Sequence, residues 1–245
     1  LDFIVTPWDE NSFNSLLKIG VDYFKIASID ANNYHFCEFV AKHKKPTIIS
    51  TGMCTYNEIL ETQKIFKKHK TPHIFLHCTS AYPSDERDKN LNCIPKLKKI
   101  LGEEVGFSGH GTGIIGAAGA TILGAKVIEK HVTLNKKMLG PDHAASLEFD
   151  TFKYMVETIR KLKISLGSSE KKFLKSEKTL HNVLIRKFVS RKFIKKNQKI
   201  SFDNVKTALV HSKKGILPKE YYKILGRRAK KEIKKGQILN FGLIK

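Results

Sequence analysis

The chain has 245 residues, enough for one large domain or a medium one with a small one, and 41% of them are hydrophobic, which supports a substantial core and argues against wholesale disorder. No apolar run approaches the roughly 20 residues that span a bilayer, no signal-peptide pattern is recognisable, and Cys37, Cys54, Cys78 and Cys93 lack the spacing of a zinc ribbon or a disulfide framework, so reduced thiols in a cytoplasmic protein are expected. The formal charge of +22 rests mostly on lysine, with only six arginines; nucleic-acid sites lean on arginine and aromatic platforms, so a solvated lysine-rich surface is the plainer reading and a nucleic-acid groove the minority one.

Phe3-Ile4-Val5 predicts a strand, stopped by Pro7. Asn11 or Ser12 is placed to cap a helix through Leu17, which Gly20 ends. Tyr23-Phe24-Lys25-Ile26 reads as the next strand, and a helix carrying Phe36, Phe39 and Val40 runs to the break at Lys44-Lys45-Pro46. Thr47-Ile48-Ile49 reads as a buried strand. Thr55-Tyr56-Asn57-Glu58 fits a capping box, with Ile59, Gln63 and Phe66 following on one helical face. Pro72 precedes a strand over 73–77, and a long polar loop crosses to a helix over 94–101. Val105-Gly106-Phe107 and Val127-Ile128 complete the strands, with an apolar helix between them. A final helix is expected from an N-cap at Asp150, with Phe149 and Tyr154 as a hydrophobic staple, to Leu166-Gly167.

Six strands alternating with six helices argue parallel pairing in an α/β fold, either a doubly wound sheet or a (β/α)8 barrel. Polar residues punctuate nearly every strand end: Ser28, Ser50-Thr51, His77 with Thr79, Ser108 with His110, and His131. Active sites of barrels collect there from many strands, whereas a doubly wound sheet concentrates them at one switch point, so the barrel is favoured. Six strands do not close such a barrel, and Leu1 already lies next to the first strand. The expectation is therefore a TIM barrel lacking its first two units, over 1–168, then a charged linker over 169–180 and a small domain over 181–245. The last part contains an internal repeat: Arg191-Lys192-Phe193-Ile194-Lys195-Lys196-Asn197-Gln198-Lys199-Ile200-Ser201-Phe202 matches Lys230-Lys231-Glu232-Ile233-Lys234-Lys235-Gly236-Gln237-Ile238-Leu239-Asn240-Phe241, with Asn197 and Gly236 in the slot of a turn that needs positive φ.

The stretch from Val105 to Asp142 carries the densest chemistry. If its two apolar runs are neighbouring parallel strands, His110 and His131 sit side by side at one sheet end, an arrangement for a divalent ion with open positions for water or a substrate oxygen. With no third protein ligand evident, a harder ion such as Mn²⁺ or Mg²⁺ is preferred to zinc; His143 is the spare candidate, in a loop that reads as exposed. Ser108-Gly109-His110-Gly111-Thr112-Gly113 opens a helix whose free N–H groups suit an anion. With Lys25, Ser28 and Ser50 on other strand ends it suggests a site for phosphate, or phosphate plus carboxylate. Lys25 is equally open to a Schiff-base role or to snorkelling at a strand edge. Asp30 and Asp142 are the acidic candidates, for sugar hydroxyls or proton transfer, and Tyr82 is placed to pack or to cover a sugar face. His77 and Cys78 read as core or supporting residues.

Together, Lys25-Ile26-Ala27-Ser28-Ile29-Asp30, Ser50-Thr51-Gly52-Met53, Cys78-Thr79-Ser80-Ala81-Tyr82-Pro83, Ser108-Gly109-His110, Glu129-Lys130-His131 and Gly140-Pro141-Asp142-His143 resemble the sialic acid synthases across essentially the whole chain. The resemblance implies a (β/α)8 barrel followed by an antifreeze-like (SAF) domain. It implies a transferase that condenses phosphoenolpyruvate with N-acetylmannosamine or its 6-phosphate to give N-acetylneuraminate or its 9-phosphate: C3 of phosphoenolpyruvate attacks the open-chain aldehyde, water adds at C2, and phosphate leaves with C–O cleavage. It further implies a Mn²⁺ or Mg²⁺ ion on His110 and His131, phosphoenolpyruvate on Lys25, Ser28, Ser50, Ser80 and Ser108, the sugar on Asp30, Tyr82 and Asp142, and a homodimer. The Schiff-base reading of Lys25 then gives way to anion binding. Asp30 and Ser80 stand where the bacterial branch usually has Glu and Asn, which leans toward the branch that uses the 6-phosphorylated sugar. Val205-Lys206-Thr207-Ala208 lacks the arginine that the bacterial SAF domain supplies. The alternatives are a synthase of another nonulosonic acid, legionaminic or pseudaminic, a basic nucleic-acid-binding protein, or a non-catalytic remnant.

Overall fold

The structure is a computed structural model that describes residues 1–212 and 214–245. The chain divides into two compact units, Leu1–Gly167 and Ser168–Lys245.

The first unit is built on one parallel sheet of six strands: β1 (Ile4–Val5), β2 (Tyr23–Ile26), β3 (Thr47–Ser50), β4 (His73–Cys78), β5 (Val105–Gly109) and β6 (Ile128–Lys130). The strands lie in sheet order β1-β2-β3-β4-β5-β6, each hydrogen-bonded to its predecessor in sequence. That order never reverses, so the sheet has no switch point of the doubly wound kind and takes the order of a barrel wall. It is a curled half-barrel in which, among the described residues, β1 pairs only with β2, and β6 only with β5.

Helices α1 (Glu10–Ile19), α2 (Tyr34–Lys42), α3 (Tyr56–His69), α4 (Cys93–Leu101) and α5 (Ile115–Ile122) follow β1 to β5 in turn. Their apolar stripes meet the outer face of the sheet in a core that includes Phe13, Phe24, Phe66 and Phe75, each no more than 1% exposed. Phe13 stacks on Phe24 at a centroid distance of 4.2 Å, which fastens α1 to β2.

Local chemistry explains most of the helix ends. The expected capping box at Thr55 and Glu58 is present: Thr55 N donates to Glu58 Oε2 at 2.7 Å, and Glu58 N donates to Thr55 Oγ1 at 3.4 Å. The cap of α1 is Asp9, not Asn11 or Ser12. Ser12 is instead the N3 partner of a second box, its N–H donating to Asp9 Oδ1 at 2.6 Å. A further helix, α6 (Phe149–Leu166), begins at Glu148 rather than at Asp150, with no side-chain cap. The expected staple does not form, since Phe149 and Tyr154 are about 60% exposed. A short parallel pair, β7 (Val132–Thr133) with β8 (Leu147–Glu148), precedes α6. Two-residue strands carry too little periodicity to be read from sequence.

In the second unit, the stretch expected as a linker carries a 3-10 turn over Lys175–Glu177 and the start of α7 (Lys178–Val183). Beyond it, β9 (Arg186–Ser190) pairs antiparallel with β10 (Val205–Leu209), and α8 (Tyr221–Ile224) follows. The two repeated segments bind each other: Ile194 N donates to Ile233 O at 3.0 Å, and Ile233 N to Ile194 O at 2.9 Å. Both turns close the same way, with Gln198 and Gln237 side chains accepting from Lys195 N and Lys234 N. Asn197 and Gly236 sit at φ 64° and 78°, so the left-handed slot predicted from the repeat is there.

Phe13→Ala should remove a fully buried ring and lower stability by about 3–5 kcal/mol, read as a shift in the urea midpoint of Trp8 fluorescence, the chain's only tryptophan. Glu38, hydrogen-bonded to His69 and Lys68, and Glu58, in its capping box, are both held at about 2 against an ordinary 4.5. Both pKa values are depressed on folding, so the stability they contribute is complete above pH 4.5 and is lost as pH falls toward 2. Glu38→Gln and Glu58→Gln should each flatten that acid limb of a stability-against-pH curve.

Candidate functional site

The C-terminal ends of the strands enclose a cavity of about 830 Å³. Register decides what faces it. Cys78, Ser108 and Glu129 are direct partners across β4, β5 and β6, and so form one row on the inner face. Lys25 pairs with Ile48 on β3, in a register row below that one, and its side chain reaches Ser50, two residues farther along β3.

The floor of the cavity is polar and buried. Lys25 is 8% exposed; its Nζ donates to Ser50 Oγ at 2.8 Å and to the Ile26 carbonyl at 3.0 Å, and lies 3.5 Å from Glu129 Oε2. Burial holds its ammonium below the usual lysine range, with Glu129 opposing the shift. Ser108 Oγ donates to Glu129 Oε1 at 2.8 Å. Ser28 Oγ accepts from Gly52 N at 3.0 Å, and Ser80 lines the same wall.

The two histidines are neighbours, with ring centroids 5.3 Å apart. His110 Nδ1 lies 2.9 Å from the Thr79 carbonyl, which can only accept, so Nδ1 carries the hydrogen and the neutral ring keeps its Nε2 lone pair free. His131 Nδ1 lies 3.9 Å from Asp142 Oδ2. Tyr82 packs over both rings, at centroid distances of 4.1 Å to His110 and 5.7 Å to His131. Burial, then the neighbouring His110, push the His131 pKa down. At His110 burial acts in the same direction, but the Cys78 thiol and the Thr79 carbonyl outweigh it and the net shift is upward. Among the described residues no three His, Cys, Asp or Glu side chains gather as a metal cage, so the pair offers two imidazole nitrogens and open positions.

Of the residues singled out from sequence, Lys25, Ser28, Ser50, Ser80, Tyr82, Ser108, His110, His131 and Asp142 all line this cavity. Asp30 does not: it ends a 3-10 turn over Ser28–Asp30, and its carboxylate accepts from Asn33 Nδ2 at 3.0 Å. His143 is likewise held elsewhere, with Nδ1 2.7 Å from Thr133 Oγ1. The glycine-rich turn divides. Ser108 and His110 face the cavity, while the Gly111 carbonyl accepts from Lys130 Nζ and the Thr112 carbonyl from Lys136 Nζ at 3.3 Å. A Cβ on Gly111 would come within 2.8 Å of Lys89, so the glycine there is a close packing point. Burial and the nearby Lys89 and Lys136 hold Lys130 at about 8.

Sequence reasoning missed Glu129 and misjudged Cys78. Glu129 carried a signal, a carboxylate inside an apolar run one register step from Ser108. Cys78 carried none, being a small residue in a buried strand. Its Sγ accepts from Ser28 Oγ at 3.4 Å and lies 3.9 Å from His110 Nδ1. Glu129→Gln should remove the group that opposes the downward shift at Lys25. The pH profile of Lys25 reductive methylation, followed by mass spectrometry, should then move to lower pH, and an unchanged profile would mean that the pair is not coupled.

Comparison with known proteins places this arrangement. Residues 1–171 match the NeuB family and residues 186–244 match the SAF domain. The chain is 41% identical over 239 residues to a pseudaminic acid synthase of Campylobacter jejuni, covering 97% of this chain and 68% of that protein. It is 34% identical over 227 residues to the human N-acetylneuraminate-9-phosphate synthase, covering 92% and 63%. Among solved structures, the N-acetylneuraminic acid (sialic acid) synthetase of Leptospira borgpetersenii, crystallised with citrate, superposes with a TM-score of 0.68 at 36% identity, covering 71% of this chain and 61% of that one. The chain belongs to the NeuB family, among whose members are synthases of sialic and related nonulosonic acids.

Proposed function

We propose that this protein is a nonulosonic acid synthase that joins phosphoenolpyruvate to the open-chain aldehyde of an acylamino sugar and releases inorganic phosphate. The observation that carries the reading is the juxtaposition of a buried ammonium-and-hydroxyl floor with two neighbouring imidazoles in one cavity. Kinship favours a product of the pseudaminic or legionaminic kind over N-acetylneuraminate or its 9-phosphate, at 41% against 34% identity. This revises the preference drawn from the sequence, which rested on Asp30 and Ser80, of which Asp30 does not line the cavity.

In this proposal Lys25, Ser28, Ser50 and Ser108 hold the phosphate and carboxylate of phosphoenolpyruvate, with Ser80 beside them. Charge-assisted hydrogen bonds of this kind are strong because the floor excludes water. Glu129 keeps Lys25 ionised and orients Ser108. The donor set of His110 and His131 fits a divalent ion such as Mn²⁺ or Mg²⁺: two imidazoles close together, one with its tautomer set by a backbone carbonyl, and no cage closing the other positions. Such an ion, when bound, polarises the aldehyde oxygen. C3 of phosphoenolpyruvate forms the new bond to the aldehyde carbon as the carbonyl pair moves to oxygen, which takes a proton from solvent to become a hydroxyl; water adds at C2, and the C2–O bond breaks so that phosphate leaves with the bonding pair. Glu129 is the carboxylate nearest the floor and accepts the proton of that water. Tyr82 covers the imidazoles and Asp142 faces the sugar hydroxyls. A homodimer, as the resemblance implies, belongs to the same proposal.

Phosphate release by the full chain should require phosphoenolpyruvate, an acylamino sugar and a divalent ion together. A chelator should abolish it and Mn²⁺ restore it, and His110→Ala or His131→Ala should lower kcat/KM by about 100-fold or more. Release without sugar, or full activity in both histidine variants, would refute the assignment.

A further inference from the structure

We infer that the second unit carries a binding strip for single-stranded nucleic acid, made of exposed aromatic rings beside a row of cations without carboxylate partners. Charge is not spread evenly along the chain. Residues 168–245 hold 23 of the 45 lysines and arginines but only 5 of the 23 aspartates and glutamates, and so 18 of the 22 net positive charges. The other 22 cations share the first unit with 18 carboxylates, so a lysine bias of the whole chain does not explain the imbalance. Four of the six arginines, Arg186, Arg191, Arg227 and Arg228, lie in the second unit as well. Among its described residues the ion pairs are Lys172 with Glu170 and Lys223 with Glu220, which leaves most of the charge uncompensated.

Tertiary structure sets part of this charge beside aromatic rings. Phe202 packs on Tyr221 at a centroid distance of 4.6 Å, and Tyr222 lies against Tyr221 at 5.4 Å. Phe202 and Tyr222 are 70% and 87% exposed, so the outer rings of the group stand in water. The segment before Phe202 pairs with the segment after α8: Ile200 N donates to Arg227 O at 2.8 Å, and Gly226 N to Ile200 O at 3.1 Å. One step along, Lys199 and Arg228 are antiparallel partners, so their side chains rise on the same side of the pair, and both are exposed. Arg228 Nη1 donates to the Asn197 carbonyl at 2.9 Å, a neutral partner that leaves the guanidinium charge in place. Asn197 belongs to the turn that carries the exposed Lys195 and Lys196. The strip thus runs from the rings through Lys199, Arg227 and Arg228 to the lysine turn. The carboxylates next to the rings in sequence are Asp203 and Glu220, and Glu220 is occupied by Leu217 N at 3.1 Å and Lys223 at 3.7 Å.

Each half of the strip matches one part of a single strand. Its phosphates track a row of ammonium and guanidinium groups, and its unpaired bases offer π-faces to exposed rings and to arginine. A duplex hides those faces. An anionic bilayer uses the charge but makes no use of rings set at stacking distance from one another. Recognition by charge and stacking tolerates any base sequence.

The test follows the fluorescence anisotropy of a labelled oligouridylate of about 12 nucleotides, titrated with the full chain over a series of salt concentrations. Binding should persist near physiological salt, and the logarithm of the binding constant should fall linearly with that of the salt concentration, by about 0.7 for each phosphate contacted. Tyr222→Ala, at an exposed ring, should weaken binding about 5-fold or more at every salt concentration with the slope unchanged, and Tyr222→Phe should restore it. Lys199→Gln and Arg227→Gln should each make the slope shallower by about 0.7. No binding near physiological salt, an unaltered affinity in Tyr222→Ala, or a duplex of the same length bound as tightly as the single strand overturns the inference. Binding to phosphatidylserine vesicles but not to the oligonucleotide overturns it in favour of a membrane surface. None of these outcomes bears on the synthase reading, which rests on the first unit.

Discussion

A buried positive charge is the constraint on which the cavity depends. Lys25 stands mid-strand with its ammonium almost removed from water, a position that would be unfavourable for an unpaired ion. It is tolerated because partners reach it from β3 and β6 and from its own strand: Ser50, Glu129 and the backbone carbonyl of Ile26. Glu129 in turn takes the hydroxyl hydrogen of Ser108 from β5. Side chains from four different strands thus close one network, and the network holds only while the curled sheet keeps its register. Breaking one partner leaves the others desolvated, so the register of the sheet and the polar floor of the cavity depend on each other.

The paired imidazoles sit on that frame through backbone chemistry. Thr79, just past β4, turns its carbonyl to His110 Nδ1 and so fixes the tautomer, while Tyr82 from the same loop covers both rings. The β4 loop therefore orients two imidazoles that follow β5 and β6. On the opposite side of the turn, Lys130 and Lys136 take the carbonyls of Gly111 and Thr112. The turn after β5 is held from both faces, which gives its glycines a packing reason: Lys89 occupies the space that a Cβ on Gly111 would need.

The second unit solves a different problem. With few regular elements, it gains order by pairing two copies of one turn, so that Ile194 and Ile233 exchange backbone hydrogen bonds and both stay fully buried. The lysines of each turn project to solvent around that apolar contact. The cavity of the first unit shows the converse, exposed apolar groups such as Trp8, Ile29 and Met53 beside a polar, buried interior.

Much of this was legible in the residues themselves. Strand positions followed from short apolar runs between breakers, the box at Thr55 and Glu58 from local spacing, and the turns at Asn197 and Gly236 from the repeat. Lys25, Ser50, His110 and His131 could be placed at strand ends, because periodicity along one segment is a local property. What the sequence by itself determined was therefore the series of elements and the family they resemble. The facing of side chains was decided only by tertiary structure. Glu129 joins Ser108, Asp30 turns away to Asn33, the glycine turn packs on Lys89, and Trp8 and Ile29 line one cavity because hydrogen bonds between strands far apart in the chain set the register. A shift of one residue in that register would send every side chain to the other face, and no stretch of sequence read alone contains that choice.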